Sequence, residues 1–273
     1  PPPPPPPPRG AARARRALPE VPRITADRPL PEVDAALLAV GDDALVACAR
    51  AVAPRLAPAS RDALHVSGLH PASALAPLAT RGRALGSLHP LTSFPSATGA
   101  LVPLDGVLAA VDGEAGALRA ARTLARALGM RARRVGPESR ARYHAAAALA
   151  ANLTHALVVA AREELVRCGF SPSDAAAALR PLLAASTAAA LAARGWEALT
   201  GPLARGDAAT VGAHLRALAP DAAAAYAAVA RLAADRLRAA GIVSEHDVTK
   251  LLSALTGLDF SASVQPMAGL GSR

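Results

Sequence analysis

Two histidines and an asparagine recur along a predicted helix over residues 138–168. At about 100° per residue, His144, Asn152 and His155 fall within roughly an 80° arc of that helix. An imidazole can donate or accept a proton near neutral pH, and a carboxamide can hold a carbonyl oxygen or an imine. The spacing predicts catalytic roles for His144 and Asn152, although hydrogen bonds to neighbouring loops would account for the same residues.

A second polar group lies in the segment 199–207, which has the sequence LTGPLARGD. Arg205 could clamp a carboxylate or a phosphate with two hydrogen bonds. Thr210 and His214 follow at positions i and i+4 of the next predicted helix, so they share one face. We interpret this segment as a candidate substrate-binding loop, and a simple helix-capping loop is the alternative.

Three short apolar runs each end in polar residues or glycine. The turns that follow these runs are 40–43 (VGDD), 65–68 (HVSG) and 89–94 (HPLTSF). Ligands bind α/β sheets at the carboxyl ends of the strands. One such turn is ordinary loop chemistry, but three in succession predict a ligand crevice.

The elements that must position these residues alternate in type up to Pro137. Short runs typical of strands alternate with longer segments typical of helices, which predicts βαβ units and a parallel sheet. The predicted strands are 35–40, 63–68, 83–88, 106–111 and 132–135. From residue 138 onward we predict helices only, at 138–168, 174–194, 208–218, 220–239 and 245–254.

This pattern predicts an α/β fold in which a truncated, Rossmann-like parallel sheet precedes an all-α domain. The predicted domains are a poorly ordered Pro/Arg-rich segment at 1–33, the sheet domain at 34–136, the helical domain at 137–256 and a flexible tail at 257–273. The first segment begins with eight prolines, which favour an extended polyproline helix without a core.

Composition excludes several classes of function. Hydrophobic residues make up 52% of the chain, which excludes general disorder, and aromatic residues only 2%, too few for the stacking platforms of single-strand binders. The net charge of +9 is dispersed, so we expect no nucleic-acid partner. Two distant cysteines predict neither a disulfide framework nor a metal site, and they suit the cytoplasm. The uncharged stretches contain proline or are mostly alanine, so we expect no membrane span.

Several motifs together resemble one protein family. They are His89-Pro90, Tyr143-His144-Ala145-Ala146-Ala147 with Ala151-Asn152, Thr200-Gly201-Pro202, Arg205-Gly206-Asp207, Thr210-Val211 and His214. The chain resembles, over roughly residues 34–256, bacterial proteins that join a Rossmann-like NADP-binding domain to a helical domain of unknown function, DUF2520. These proteins look like relatives of ketopantoate reductase, pyrroline-5-carboxylate reductase and 6-phosphogluconate dehydrogenase.

The resemblance implies an NAD(P)-dependent oxidoreductase acting on a small carbonyl or imine, as a dimer formed by the helical domain. An alanine-rich helical domain buries little area per residue, which also favours a second subunit. The implied cofactor-binding residues are Val40, Gly41, Asp42, Ser67 and Gly68. The implied catalytic residues are His144 and Asn152, and the implied substrate-binding residues are His89, Thr200, Arg205 and His214.

One departure puts NADP or NAD binding in doubt. Family members begin with a strand, a G-x-G-x-x-G turn and a helix, and this sequence has no such motif. That turn allows the pyrophosphate to approach a helix N-terminus. Either the sequence is incomplete at its start, or the protein has lost dinucleotide binding and is a non-catalytic dimeric scaffold or small-molecule sensor.

Overall fold

A computed structural model describes residues 20–25, 27–80, 82–94, 102–192 and 194–256. The chain divides into two compact units, the first ending at Asn152 and the second beginning at Leu153. The predictions for the proline run and for the tail at 257–273 lie outside the described residues. The two units are presented separately below.

Unit 1 is built on a five-stranded sheet in the order β1-β2-β3-β4-β5. The strands are β1 (Ala35–Leu38), β2 (Asp62–His65), β3 (Ala84–Pro90), β4 (Leu108–Gly113) and β5 (Arg131–Arg134). All five coincide with predicted strands, and the predicted α/β class is confirmed. Short apolar runs bounded by turn residues were therefore a sufficient signal for the strands.

One pairing in the sheet differs from the all-parallel arrangement expected. β1, β2 and β3 are parallel, as are β4 and β5, but β3 and β4 are antiparallel. A parallel neighbour needs a crossover connection, usually a helix. The described parts of the β3–β4 connection, 91–94 and 102–107, contain no helix, so the chain returns directly beside β3.

The connections within unit 1 cover both faces of the sheet. A 3₁₀ turn (Asp42–Ala44) and helix α1 (Leu45–Val52) follow β1, a 3₁₀ helix (Ala72–Leu78) follows β2, and helix α2 (Ala115–Ala127) follows β4. Pro77 lies inside the 3₁₀ helix Ala72–Leu78, and proline lacks the backbone amide hydrogen that an α-helix would need there. One core forms beneath α1 and the 3₁₀ helix, and another beneath α2, where Ala117, Ala121 and Ala125 are fully buried at four-residue spacing.

Unit 1 ends in helix α3 (Arg140–Ala148), which a π-helical turn (Leu149–Leu153) joins to helix α4 (Thr154–Arg167) of unit 2. The predicted helix over 138–168 is thus present with one wide turn in it. Together with a short 3₁₀ turn it spans Pro137–Arg167, and an 18-residue window of it has a mean hydropathy of 1.4, so by length and composition alone it could cross a membrane. Tyr143 and His144 lie in its first half and pack against the end of β3.

Unit 2 contains helices joined by loops, and no strand, among its described residues. It contains α4, α5 (Pro172–Leu191), α6 (Ala208–Ala217), α7 (Pro220–Ala239) and α8 (Glu245–Thr256). Its core lies among α6, α7 and α8, where α7 contributes small buried residues and α8 contributes Val248, Leu251 and Leu255. In contrast, α4 has no buried residue and α5 has only Ala175.

Candidate functional site

Three ring side chains of unit 1 meet at the carboxyl end of β3. His89 is the penultimate residue of β3. Its Nδ1 and the hydroxyl of Tyr143 share a hydrogen bond of 2.8 Å. Its ring also lies edge-on to His144, with centroids 6.2 Å apart and an interplanar angle of 86°. Tyr143 and His144 are adjacent on α3, so one helix brings both rings to one strand end. We call these three residues the ring cluster.

Gly68 forms the floor of the ring cluster, in the loop that follows β2. A Cβ atom at this position would lie 2.8 Å from His89 Nε2 and 3.0 Å from His144 Cδ2. Real Cβ atoms rarely make such contacts, so only glycine lets both imidazoles approach the loop backbone this closely. The structure therefore brings together Gly68, His89 and His144, which the sequence placed on two strand ends and one helix.

The loop at 66–71 is held by the ring of His65, which is fully buried. The Ser67 amide donates to His65 Nδ1 at 3.1 Å, and Nε2 lies 3.1 Å from the Pro71 carbonyl oxygen. Because a carbonyl only accepts, Nε2 carries the proton and the imidazole is neutral. Burial lowers the pKa of His65 to about 4, which agrees with this assignment.

His89 is also held in its neutral form. Burial lowers its pKa to about 4, and His144 and Arg140 add to this effect while Asp42 opposes it. Burial raises the pKa of the Tyr143 hydroxyl, so the phenol stays protonated as well. His89 and Tyr143 thus offer uncharged groups that can donate or accept hydrogen bonds.

A buried arginine, Arg140, supports the ring cluster from the first turn of α3. Its side chain is 1% exposed, its Nη1 donates to the Ser67 carbonyl oxygen at 3.1 Å, and its Nη2 donates to Ser87 Oγ. We did not include Arg140 in the predicted site. The available signal was its place four residues before His144 on the same helix face.

The turn after β1 carries the remaining predicted cofactor-binding residues of unit 1. Val40 and Gly41 are exposed, and Asp42 opens the 3₁₀ turn with Asp43. Asp42 is close enough to His89 for its negative charge to oppose the lowering of that pKa. The Asp43 carboxylate lies over Gly41, since a Cβ there would be 2.9 Å from Asp43 Oδ1. This turn therefore presents carboxylates and one glycine.

Asn152 does not lie on a regular α-helix with His144, as the predicted shared helix face requires. The prediction that it shares a face with His144 used a uniform α-helical angle, but Asn152 itself lies in the π-helical turn 149–153. A π turn holds more residues than an α turn, so side chains beyond it change direction. Asn152 is exposed, whereas His144 is half-buried beside His89. His155 is exposed on α4.

The predicted substrate-binding residues of unit 2 lie in one ordered segment. Asp207 caps α6 by accepting from the Thr210 amide at 3.0 Å and the Thr210 hydroxyl at 2.6 Å, so the segment does cap a helix, as the alternative interpretation expects. His214 Nδ1 lies 3.1 Å from the Tyr226 hydroxyl, so that ring is oriented. Thr200 and Arg205 are exposed. Substrate binding by Thr200, Arg205 and His214 stays a prediction.

The residues that could hold a metal ion do not gather in the described ranges, where no three histidine, cysteine, aspartate or glutamate side chains form such a group.

Comparisons with known proteins identify the fold and match part of the chain to one family model. The crystal structure of a Bacteroides fragilis protein, provisionally assigned as an NADP oxidoreductase, aligns with a TM-score of 0.64 at 18% identity, covering 76% of this chain and 78% of its own. A Thermotoga maritima protein aligns with a TM-score of 0.54 at 21% identity, covering 84% and 81%. No curated protein sequence matches. The model of the family DUF2520, a domain of unknown function, matches residues 107–233, which confirms the resemblance, and the chain thus combines a Rossmann-like α/β fold with a DUF2520 match.

Proposed function

We propose that the protein is an NAD(P)-dependent oxidoreductase whose ring cluster binds a small carbonyl or imine substrate. One observation carries this proposal. His89, Tyr143 and His144 converge over Gly68 at strand ends of a Rossmann-like sheet, where such folds bind ligands. The neutral ring of His89 and the hydroxyl of Tyr143 can donate hydrogen bonds here, which suits the polarisation of a carbonyl oxygen or an imine nitrogen.

Reduction of such a group needs a proton at the oxygen or nitrogen as well as a hydride at carbon. In our proposal His144 donates a hydrogen bond to the substrate heteroatom and supplies the proton. His89 and Tyr143 orient that ring and the substrate, since their own hydrogen bond of 2.8 Å fixes both. The catalytic role of Asn152 and the substrate-binding role of Arg205, which lies in unit 2, stay predictions from the sequence, and the proposal for the ring cluster does not depend on them.

The described residues do not fit the pyrophosphate of a dinucleotide. A pyrophosphate needs a glycine-rich turn and free helix amides, and the turn after β1 instead has Asp42 and Asp43 in the first turn of its helix. Two carboxylates there would repel a phosphate. We therefore propose no step through the nucleotide from these residues, and dinucleotide binding becomes the first experiment.

The purified protein should be titrated with NADPH and with NADH while nucleotide fluorescence is recorded. Saturable binding of either one, followed by its oxidation with one of a panel of small ketones, keto acids and cyclic imines, supports the proposal. His144→Gln should then lower kcat on the order of a hundredfold, because it removes the proton donor. His246→Gln is the matched control, since His246 is exposed on α8.

The alternative is a non-catalytic scaffold or small-molecule sensor that has lost dinucleotide binding. The acidic turn after β1 favours it. In that case neither nucleotide binds at millimolar concentration, while the ring cluster still takes up a small carbonyl compound. Chemical-shift changes of the His144 ring on addition of such compounds would then distinguish a sensor from an inert scaffold.

We further propose a homodimer formed by the exposed faces of α4 and α5. Leu182 is 65% exposed and Leu191 is 88% exposed, although leucine is usually buried in folded proteins. A second copy would cover them and would add apolar burial to an alanine-rich unit. The family resemblance implies a dimer through the helical domain. We propose a location in the cytoplasm because the two cysteines, Cys48 and Cys168, are unpaired.

Sedimentation equilibrium at micromolar concentration tests the dimer. Leu191→Glu should shift the equilibrium to the monomer, whereas Ala224→Glu on an exposed position of α7 should not. A wild-type protein that sediments as a monomer under these conditions would exclude the dimer.

A further inference from the structure

We infer that Arg140 is the positioning residue of the ring cluster, because its buried guanidinium ties the start of α3 to the ends of β2 and β3. This inference rests on the proposed function for its catalytic consequence. Its structural basis is independent of any substrate, since it depends on hydrogen bonds within unit 1.

Arg140 connects three parts of unit 1, two of them through hydrogen bonds. One nitrogen donates to the backbone of Ser67, next to Gly68 in the loop after β2. Another donates to the hydroxyl of Ser87, two residues before His89 in β3. The third anchor is α3 itself, where Tyr143 and His144 follow one turn later. The same side chain therefore fixes the distance between the helix that carries two rings and the strand that carries the third.

The surroundings of Arg140 are not those of a residue selected for stability alone. Its Nε has no hydrogen-bond partner among the described residues. Its hydrogen bonds go to a carbonyl and a hydroxyl, although it is almost completely buried. Asp112 is the carboxylate that acts on its charge, and Asp112 forms an ion pair with Arg134, at 3.9 Å. A buried cation with incomplete pairing is costly, and such costs are retained mainly where function needs the group.

The charge of Arg140 also acts on the imidazole that it positions. The groups that face His89 are Arg140, Tyr143 and His144 from α3, and Asp42 from the end of β1. Arg140 and His144 disfavour a proton on His89, and Asp42 favours one. Removal of the guanidinium should therefore raise the pKa of His89, whereas a lysine that keeps the charge should change it less.

The test uses the full chain and four substitutions. Arg140→Met removes the charge and the anchors, Arg140→Lys keeps the charge but not the forked geometry, and Ser87→Ala removes one anchor only. Arg142→Met is the matched control, since Arg142 is exposed on the same helix. The readouts are the NMR titrations of the His89 and His144 rings, identified with single His→Gln variants, and kcat and KM for the substrate found in the panel above.

We expect Arg140→Met to raise the His89 titration midpoint, and Arg140→Lys to leave that midpoint nearer to wild type. We expect both to lower kcat, on the order of tenfold to a hundredfold, with a smaller change in KM. Ser87→Ala should shift the His144 resonances, and Arg142→Met should change nothing. If Arg140→Met does not fold, Arg140→Lys and Ser87→Ala decide the question.

Unchanged ring titrations and an unchanged kcat in Arg140→Lys and Ser87→Ala would overturn the inference. A merely structural role would lower the melting temperature without moving the ring titrations. Failure of the proposed function looks different, because the wild type itself would then neither bind a nucleotide nor reduce any substrate. In that event the ring titrations alone test the positioning role.

Discussion

The buried ring of His65 predicts a loss of stability in mild acid. Its pKa is lowered from 6.5 to about 4 in the folded protein, mainly by burial. The unfolded chain therefore binds a proton more readily, and unfolding takes up a proton between these two values. The stabilising contribution is complete above about pH 6.5 and is lost progressively as the pH falls toward 4.

The magnitude follows from the difference between the two pKa values. A difference of about 2.5 units corresponds to about 3 kcal/mol when fully expressed. Of this, about 2 kcal/mol should be lost between pH 7.5 and pH 5. His89 adds a further loss in the same direction, since its pKa is also lowered to about 4. The range stops at pH 5 because Asp27, Asp207 and Asp247 have pKa values below the ordinary 3.8, so those carboxylates stay ionised in it.

Urea unfolding followed by circular dichroism at several pH values between 7.5 and 5 measures this effect. The informative variant is His65→Asn, which keeps an acceptor for the Ser67 amide but cannot titrate. We expect it to be less stable than wild type at pH 7.5 and to lose about 2 kcal/mol less on acidification. His246→Gln, at an exposed position, should follow wild type.

The reasoning is refuted if wild type and His65→Asn lose the same free energy of unfolding over this pH range. A direct check is the NMR titration of the His65 ring. A midpoint near 6.5 would show that the ring gains a proton while the Ser67 amide still points at Nδ1, which the hydrogen bonds described above do not allow.

Two substitutions elsewhere in unit 1 have predictable costs, both measurable as urea unfolding free energies. Gly68→Ala should lower the free energy of unfolding by about 1 to 3 kcal/mol, since the new methyl group would lie 2.8 Å from His89 Nε2. The control Gly212→Ala, within α6 of unit 2, should raise it by about 0.5 to 1 kcal/mol. Equal effects of these two would contradict the close approach at Gly68. Arg83→Met should cost about 1 to 3 kcal/mol for each of the carbonyls of Ser60 and Leu78, which lose their donor, whereas the Ala57 carbonyl still accepts from the Ser60 amide. The exposed Arg61→Met should cost less than about 0.5 kcal/mol. A small cost at Arg83 would mean that water replaces the guanidinium.

The strands and the strand-end part of the site could be predicted from local sequence. Alternation of short apolar runs with helical segments is a local signal, and so is a glycine or histidine at the end of a run. The antiparallel pairing of β3 with β4 could not be predicted in this way. It depends on how the connection at 91–107 returns to the sheet, and the sequence of that connection does not show the direction of return.

The helix face was harder to predict than the strand ends. A uniform turn angle placed His144 and Asn152 together, but the π-helical turn 149–153 changes the angle between them. Nothing in the composition of that turn, LAANL, distinguishes it from α-helix. Arg140 was missed for another reason. Arginines are usually exposed, and only the contacts with Ser67 and Ser87 show that this one lies inside the fold.

The polar character of the ring cluster is the strongest reason to treat it as a site. Leucine and alanine fill both cores of unit 1, and the same residue types could fill the space at the ends of β2 and β3. That space instead holds two imidazoles, a phenol and a guanidinium with an unbonded Nε. Unlike leucine, these side chains donate and accept hydrogen bonds, and they lie in the position where an α/β sheet meets its ligand.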